Sequence, residues 1–385
     1  MNNQKANKNA VAQLGSYIRK LLNSDRKISI LRYTTAFIGV IIFGAVMVAV
    51  QGEDPINAAK LIVTGAFGNK VSIGNTLRWA MPCMLTGAAS IIATKSGVIN
   101  LGIEGQLYVG AFTAAIVGWL IPMPDHVHAV VCVLAAGLAG VIWVVIPAIM
   151  RLYFSIDEYV TTMMMNFIAT LLCDFLTLWV ILPMRGITTT TAQTENILST
   201  AKLTTIIKGT SFSSGYIVGV VVCILVHLLF KYTILGYELK QVGENLKFAK
   251  TGGVDVKKTF IAIFIISGFI AGICGGIEVC GGYYRYVSNF STSMGWEGTM
   301  IADISGRNPL SLILVSVVWG ALKTGAMNME RGTSLNRLTV NLMKMVFVLL
   351  VAIDYEGIVG YFKARKQRKL DRERLEHEIA KEATL

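Results

Sequence analysis

A chain of 385 residues with 54% apolar and only 15% charged residues carries more apolar surface than a soluble domain of its length can hide, so composition excludes the soluble classes and marks an integral membrane protein. The net charge of +12 would suit a nucleic-acid binder, but the cations collect at the chain ends and in one internal loop, where membrane topology places them. The six cysteines lie in or beside apolar segments, without CxxC spacing or histidine neighbours, and read as small core residues, not metal ligands.

In chain order, residues 1–30 bring Lys5, Lys8, Arg19, Lys20, Arg26 and Lys27 against the single acid Asp25, which predicts a cytoplasmic N-terminal segment. Apolar segments follow at 31–51, 76–94, 104–121, 128–149, 159–182, 213–231, 259–279, 309–328 and 336–353, with a weaker one at 292–305. Windows of this kind predict about ten transmembrane helices within a permease-like domain spanning 31–353. The first is read as a retained span, because no small-residue cleavage pattern follows it.

Arg78, Trp79 and Pro82 open the second span, which predicts an outer interface with proline in the first turn. The turn Thr94–Gly97 then leads into Asn100, Gly102, Glu104, Gly105 and Gln106, polar groups at the mouth of an apolar helix. Such groups are expensive in a bilayer and mark a pathway or a half-helix. Ala136 and Gly140 give the fourth span a small-residue face. In the fifth, Asn166 and Asp174 interrupt an apolar helix, and two readings stand for Asn166: a bond to a neighbouring helix, or a pore lining.

Residues 183–212 form the longest outer loop. The loop 232–258 carries Lys240, Lys247, Lys250, Lys257 and Lys258, which predicts a cytoplasmic position, with a short helix over 238–250 bounded by Gly236 and Gly252. Gly268, Gly272 and Gly276 leave one side of the next span nearly bare for close packing. Glu278 and Tyr284 follow at its outer end. The tail 354–385 reads as a charged cytoplasmic extension.

The stretch NLGIEGQLYVGAFTA around Glu104 resembles SMGWEGTMIADISGR around Glu297. Each follows a Gly- and Ala-rich span, and the span count makes one copy run outward and the other inward, which predicts an inverted repeat of spans 2–5 and 7–10. Glu104 and Glu297 would then approach a common path, or cap helix N-termini, and the two roles are compatible.

These residues carry a family resemblance. GVINLGIEGQ resembles the GxxNIGxEGQ signature of membrane subunits of bacterial ABC importers for branched-chain amino acids, simple sugars and nucleosides. EYVTTMMMNFIA, with Glu158, Thr162 and Asn166, resembles EVxxTLMLNYIA of the same family. VGENLKFAKTGGV resembles the coupling segment GxNxxAAxxxGI, and SGFIAGICGG with GWEGTMIADISGRNPL resembles two further stretches. The sequence looks closest to the nucleoside branch, which is linked to basic membrane lipoproteins. Lys250 and Asp303 depart from the pattern, where the family has small residues; Asp303 would add an acid to the pore.

The resemblance implies an all-α, type II-like ABC importer permease in the bacterial plasma membrane, with both termini cytoplasmic. It implies two ATPases on the cytoplasmic face, a second permease, related but not identical, and an extracellular solute-binding lipoprotein. Gly243, Glu244, Asn245, Ala249 and Gly252 would couple to the ATPase. The expected pathway is lined by Asn100, Glu104, Gln106, Asn166, Glu278 and Glu297, with Tyr284 and Trp296 as flat surfaces. The sequence lacks GxxxxGK[ST], so the chain is expected to bind no cofactor and to be no enzyme, ATP and Mg being used by the partner ATPase. The solute expected is a nucleoside, with a simple sugar or branched-chain amino acid as alternatives. An ion-driven secondary transporter would use the same carboxylates as proton or cation sites.

Overall fold

The computed structural model describes residues 38–125, 127–187, 189–335 and 337–352. The expected N-terminal segment 1–30, the tail 354–385 and the positions of both termini lie outside them. The described residues form helices α1 (Ile38–Val50), α2 (Pro55–Phe67), α3 (Lys70–Lys95), α4 (Ile103–Leu120), α5 (Val127–Phe154) and α6 (Glu158–Phe175). After a π-turn come α7 (Leu182–Met184), α8 (Gly215–Tyr232), α9 (Ile234–Glu244), α10 (Leu246–Thr251), α11 (Val256–Glu278), α12 (Met294–Ile304), α13 (Pro309–Gly332) and α14 (Arg337–Ala352). Among the described residues β-pairing is confined to isolated bridges, one joining Gln193 to Val287.

Every expected apolar segment coincides with a helix. Among the described residues six helices are long and apolar enough to cross a membrane alone: α4, α5, α6 extended through α7, α8, α11 extended to Tyr283, and α13. The 11 residues of α12 span about 16 Å, roughly half a hydrocarbon core. The segment expected to be short is therefore a half-crossing helix.

Two units make up the chain, one comprising 1–55 and 335–385, the other 56–334. In the first, α1 and α14 run antiparallel, with Gly39 beside Leu350, Gly44 beside Met343 and Gln51 donating to Thr339.

The second unit is built on α3 and α11. Asn69 caps α3 by accepting from the Ser72 N–H at 2.7 Å, and Asp255 caps α11 through the Lys258 N–H at 3.2 Å, each satisfying a donor that a helix start leaves free. Arg78 meets Glu278, the Cys274 thiol meets the Pro82 carbonyl, and the Ser267 hydroxyl donates to the Ala89 carbonyl. Each step forward along α3 is matched by an equal step backward along α11. That register is what an inverted repeat requires.

The neighbours obey the same symmetry: α11 packs on α5 and α4, while α3 packs on α13 and α12. Close approach is decided by glycine. A Cβ on Gly272 would strike the Ala136 carbonyl of α5, and one on Gly298 would strike Thr86 of α3. The repeat is thus traced over α3–α4–α5 and α11–α12–α13.

Three expectations are corrected. Pro82 lies inside α3, not in its first turn, because the helix begins at Lys70. The helix expected over 238–250 is two helices broken at Asn245, whose side chain accepts from the Phe248 N–H at 3.0 Å and so starts α10. Asp303 is no added acid in a pore: it is exposed and pairs with Arg307 one turn on, at 3.1 Å.

Candidate functional site

The site divides into a joint at the Lys95 end of α3, a carboxylate cap where the two halves meet, and a polar cavity at the Arg78 end. At the joint, Gly243 of α9 lies against the backbone of Lys95, Ser96 and Gly97, so closely that a Cβ would collide with the Lys95 carbonyl. Gly97 itself adopts φ +71°, a conformation glycine takes at little cost. Of the residues expected to couple, Gly243 and Ala249 pack inward, Asn245 caps α10, Gly252 ends it, and Glu244 is exposed beside Lys240.

From this joint the chain enters α4 through a buried amide cluster. Asn100 donates to Ser267 at 2.9 Å, and Gln106 donates to Asn100 at 3.1 Å. The Asn100 side-chain Oδ1 also accepts from the Gly102 N–H. Asn166 of α6 accepts from the Gly105 N–H at 2.8 Å and donates to the Leu101 carbonyl at 2.7 Å. These amides satisfy the free donors of a helix that starts in the interior.

Glu104, in the first turn of α4, caps a different helix from its own. Its Oε2 accepts from the Gly295 N–H and its Oε1 from the Ser291 hydroxyl, each at 2.5 Å. Gly295 belongs to the first turn of α12, where the helix macrodipole favours an anion. Around this cap lies an open groove of about 510 Å³ bordered by Glu104, Tyr108, Asn166, Phe167, Ser291 and Trp296.

The symmetry-related Glu297 behaves otherwise. It pairs with Lys323 of α13 at 2.9 Å, both side chains largely buried. The Lys323 ammonium lies 4.3 Å from the Trp79 ring centroid, and the Arg78 guanidinium lies 3.9 Å from the same centroid. Arg78 in turn pairs with Glu278 at 2.7 Å. Two ion pairs, Lys323–Glu297 within the second half and Arg78–Glu278 between the halves, therefore meet on one indole. Cations over an aromatic face gain from its quadrupole.

Beside that indole opens a cavity of about 500 Å³ bordered by Asn69, Asn75, Arg78, Tyr283, Thr324 and Asn328, among others. Of the residues expected in the pathway, Glu104, Asn166 and Trp296 come together in the groove, and Glu278 reaches the cavity through Arg78. Asn100 and Gln106 border neither space. Tyr284 also borders neither; its carbonyl accepts from the Ile197 N–H at 2.8 Å and its ring lies 4.9 Å from the Lys202 ammonium. Arg78 is corrected from an interfacial anchor to one partner of a buried pair. Lys323 and Thr324 were missed; a lysine inside an apolar span was the available signal.

The family model for the permease component of the branched-chain amino acid transport system matches residues 72–353. The chain belongs to this family. As a permease it is 28% identical over 313 residues to the guanosine ABC transporter permease protein NupP of Bacillus subtilis, covering 81% of this chain and 90% of that protein. It is 26% identical over 333 residues to the nucleoside ABC transporter permease protein NupB of Lactococcus lactis, covering 84% and 92%. The glucose ABC transporter permease protein TsgB13 of Haloferax volcanii is 24% identical over 318 residues, covering 80% and 83%. No solved structure matches the permease. The match takes in the joint, the cap and most of the cavity border, with Gly65, Asn69 and Val71 preceding it.

Proposed function

We propose that this permease is the membrane subunit of an ATP-driven importer of a nucleoside, with α9 and α10 seated on a partner ATPase. The observation that carries this reading is the backbone contact of Gly243 with Lys95–Gly97. It joins α9 to the end of α3 and the turn that leads to α4, in the first half of the repeat, and α9 also packs on α11 of the second, so a push on α9 reaches both halves. The lysines of 232–258 favour a cytoplasmic position for α9 and α10, which turns the Arg78 cavity outward and sets both termini in the cytoplasm of a bacterial cell. An extracellular solute-binding lipoprotein would deliver solute there, and a related second permease would complete the core. ATP and Mg act in the partner ATPase, not in this chain.

A nucleoside is favoured because NupP and NupB carry that substrate in their names. A simple sugar is the second reading, favoured by TsgB13. The test is uptake of tritiated guanosine and of glucose by proteoliposomes holding the complete transporter. The expected result is guanosine accumulation only with ATP and the ATPase. Uptake driven by a proton or sodium gradient without the ATPase would overturn the ATP-driven reading, and accumulation of glucose alone would overturn the nucleoside.

A further inference from the structure

We propose that the Arg78 cavity is a solute site within the permease itself and that Arg78 reads the acceptor edge of a 6-oxopurine nucleoside there. The inference rests on the nucleoside reading above and goes further, to the class of base and the residue that recognises it.

The cavity, at about 500 Å³, has the volume of a small-molecule site. Asparagine, serine and threonine make up six of its fourteen bordering residues, Arg78 and Arg331 supply cations, and no carboxylate borders it. Such a lining offers donors to a neutral solute rich in acceptors. It gives an organic cation nothing to pair with.

Arg78 is held for recognition. Its Nη2 donates to Glu278 Oε2 at 2.7 Å, which fixes the plane of the guanidinium, while its buried Nη1 has no protein partner. Thr324, 7% exposed, also borders the cavity, and its Oγ1 has no protein partner. Buried donors without partners are costly, and a ligand that accepts from both removes that cost. The adjoining void, about 10 Å³, holds one water at most.

A guanidinium presents donors in a rigid fork. A 6-oxopurine offers ring N7 and carbonyl O6 side by side, both acceptors, whereas adenine offers N7 beside an amino donor. An arginine with one edge committed to a carboxylate therefore favours guanosine or inosine over adenosine. Trp79 already carries two cations on its ring, so discrimination falls to the fork rather than to stacking.

The test is equilibrium binding of tritiated guanosine and adenosine to the assembled permease–ATPase complex, with the solute-binding protein left out so that its own selectivity does not enter. Arg78→Lys keeps a cation for Glu278 and removes the fork; it should weaken guanosine by about tenfold or more, and adenosine much less. Thr324→Val keeps the shape and removes a hydroxyl that holds nothing in the protein. It should weaken guanosine several-fold with no change in thermal stability.

Equal loss of both nucleosides in Arg78→Lys, or wild-type guanosine affinity in Thr324→Val, would overturn the assignment. If the wild-type complex binds neither nucleoside while the complete transporter still accumulates guanosine, the cavity site falls and the nucleoside reading stands. If accumulation fails too, both fall.

Discussion

The carboxylate of Glu104 accepts a hydrogen bond from the Gly295 backbone N–H, although the two residues lie in opposite halves of the repeat. Each half thus completes the other: a side chain at the start of α4 supplies the cap that α12, starting inside the protein, cannot draw from water. The groove beside the cap is consequently bordered by residues already committed to structure.

Glu104→Ala should therefore lower stability and transport together. Leaving the Gly295 donor buried and unpaired costs about 1–3 kcal/mol, read as a lower melting temperature of the purified permease. Glu104→Gln retains an acceptor oxygen and should fall between. If Glu104→Ala melted like wild type but failed to transport, the carboxylate would be acting on solute instead.

Gly243→Ala should insert in the membrane at wild-type levels and lose transport. Its methyl group meets the backbone of Lys95 and Ser96, which cannot move aside as a flexible side chain would. Membrane abundance and solute-stimulated ATP hydrolysis separate the two effects; full stimulation in this variant would remove the joint from the mechanism. Asn245→Ala should show a milder defect of about 1 kcal/mol, the usual worth of an N-cap, with Asn245→Asp restoring it.

Lys323→Ala should destabilise the permease by up to about 3–5 kcal/mol, because it removes the cation paired with Glu297 in a largely buried place. The exchange Lys323→Glu with Glu297→Lys restores an ion pair, and it should recover stability while leaving the Trp79 ring without one of its cations. Thermal unfolding checks the first point. Failure of the exchange to recover any stability would show that the pair is not the reason for the loss.

Gly272→Val should push α11 away from α5, since its side chain would meet the backbone of Ala136 and Gly137. The overpacking cost is about 1–3 kcal/mol or more where backbone must shift. Expression with normal membrane levels but a lowered melting temperature is the expected outcome.

The sequence made the helices and the repeat legible for local reasons. Hydropathy is a property of short windows, and Gly-x-Glu-Gly recurs at Glu104 and Glu297 with a small-residue span before each. Glu278 was legible as a costly intramembrane acid, but its partner was not, because Arg78 lies 200 positions away and only the antiparallel register of α3 and α11 brings them together. Pro82 was misplaced because the apolar window opens after the Asn69 cap that starts the helix. The break at Asn245 was hidden among helix-forming neighbours, whose propensity is weaker than a side-chain cap. Asn100 and Gln106 carried the right signal, polar groups in an apolar surrounding, and their partners are each other and Ser267.

Pro82 also sets where α3 can bend. Lacking an N–H, it leaves the Arg78 carbonyl without its helical donor and weakens that turn. The segment from this hinge to Lys95 is about 20 Å long and the segment to Arg78 about 6 Å. A stroke delivered at the α9 joint would therefore be taken up in part by bending at Pro82, so that the guanidinium end of α3 can keep its place while the Lys95 end swings.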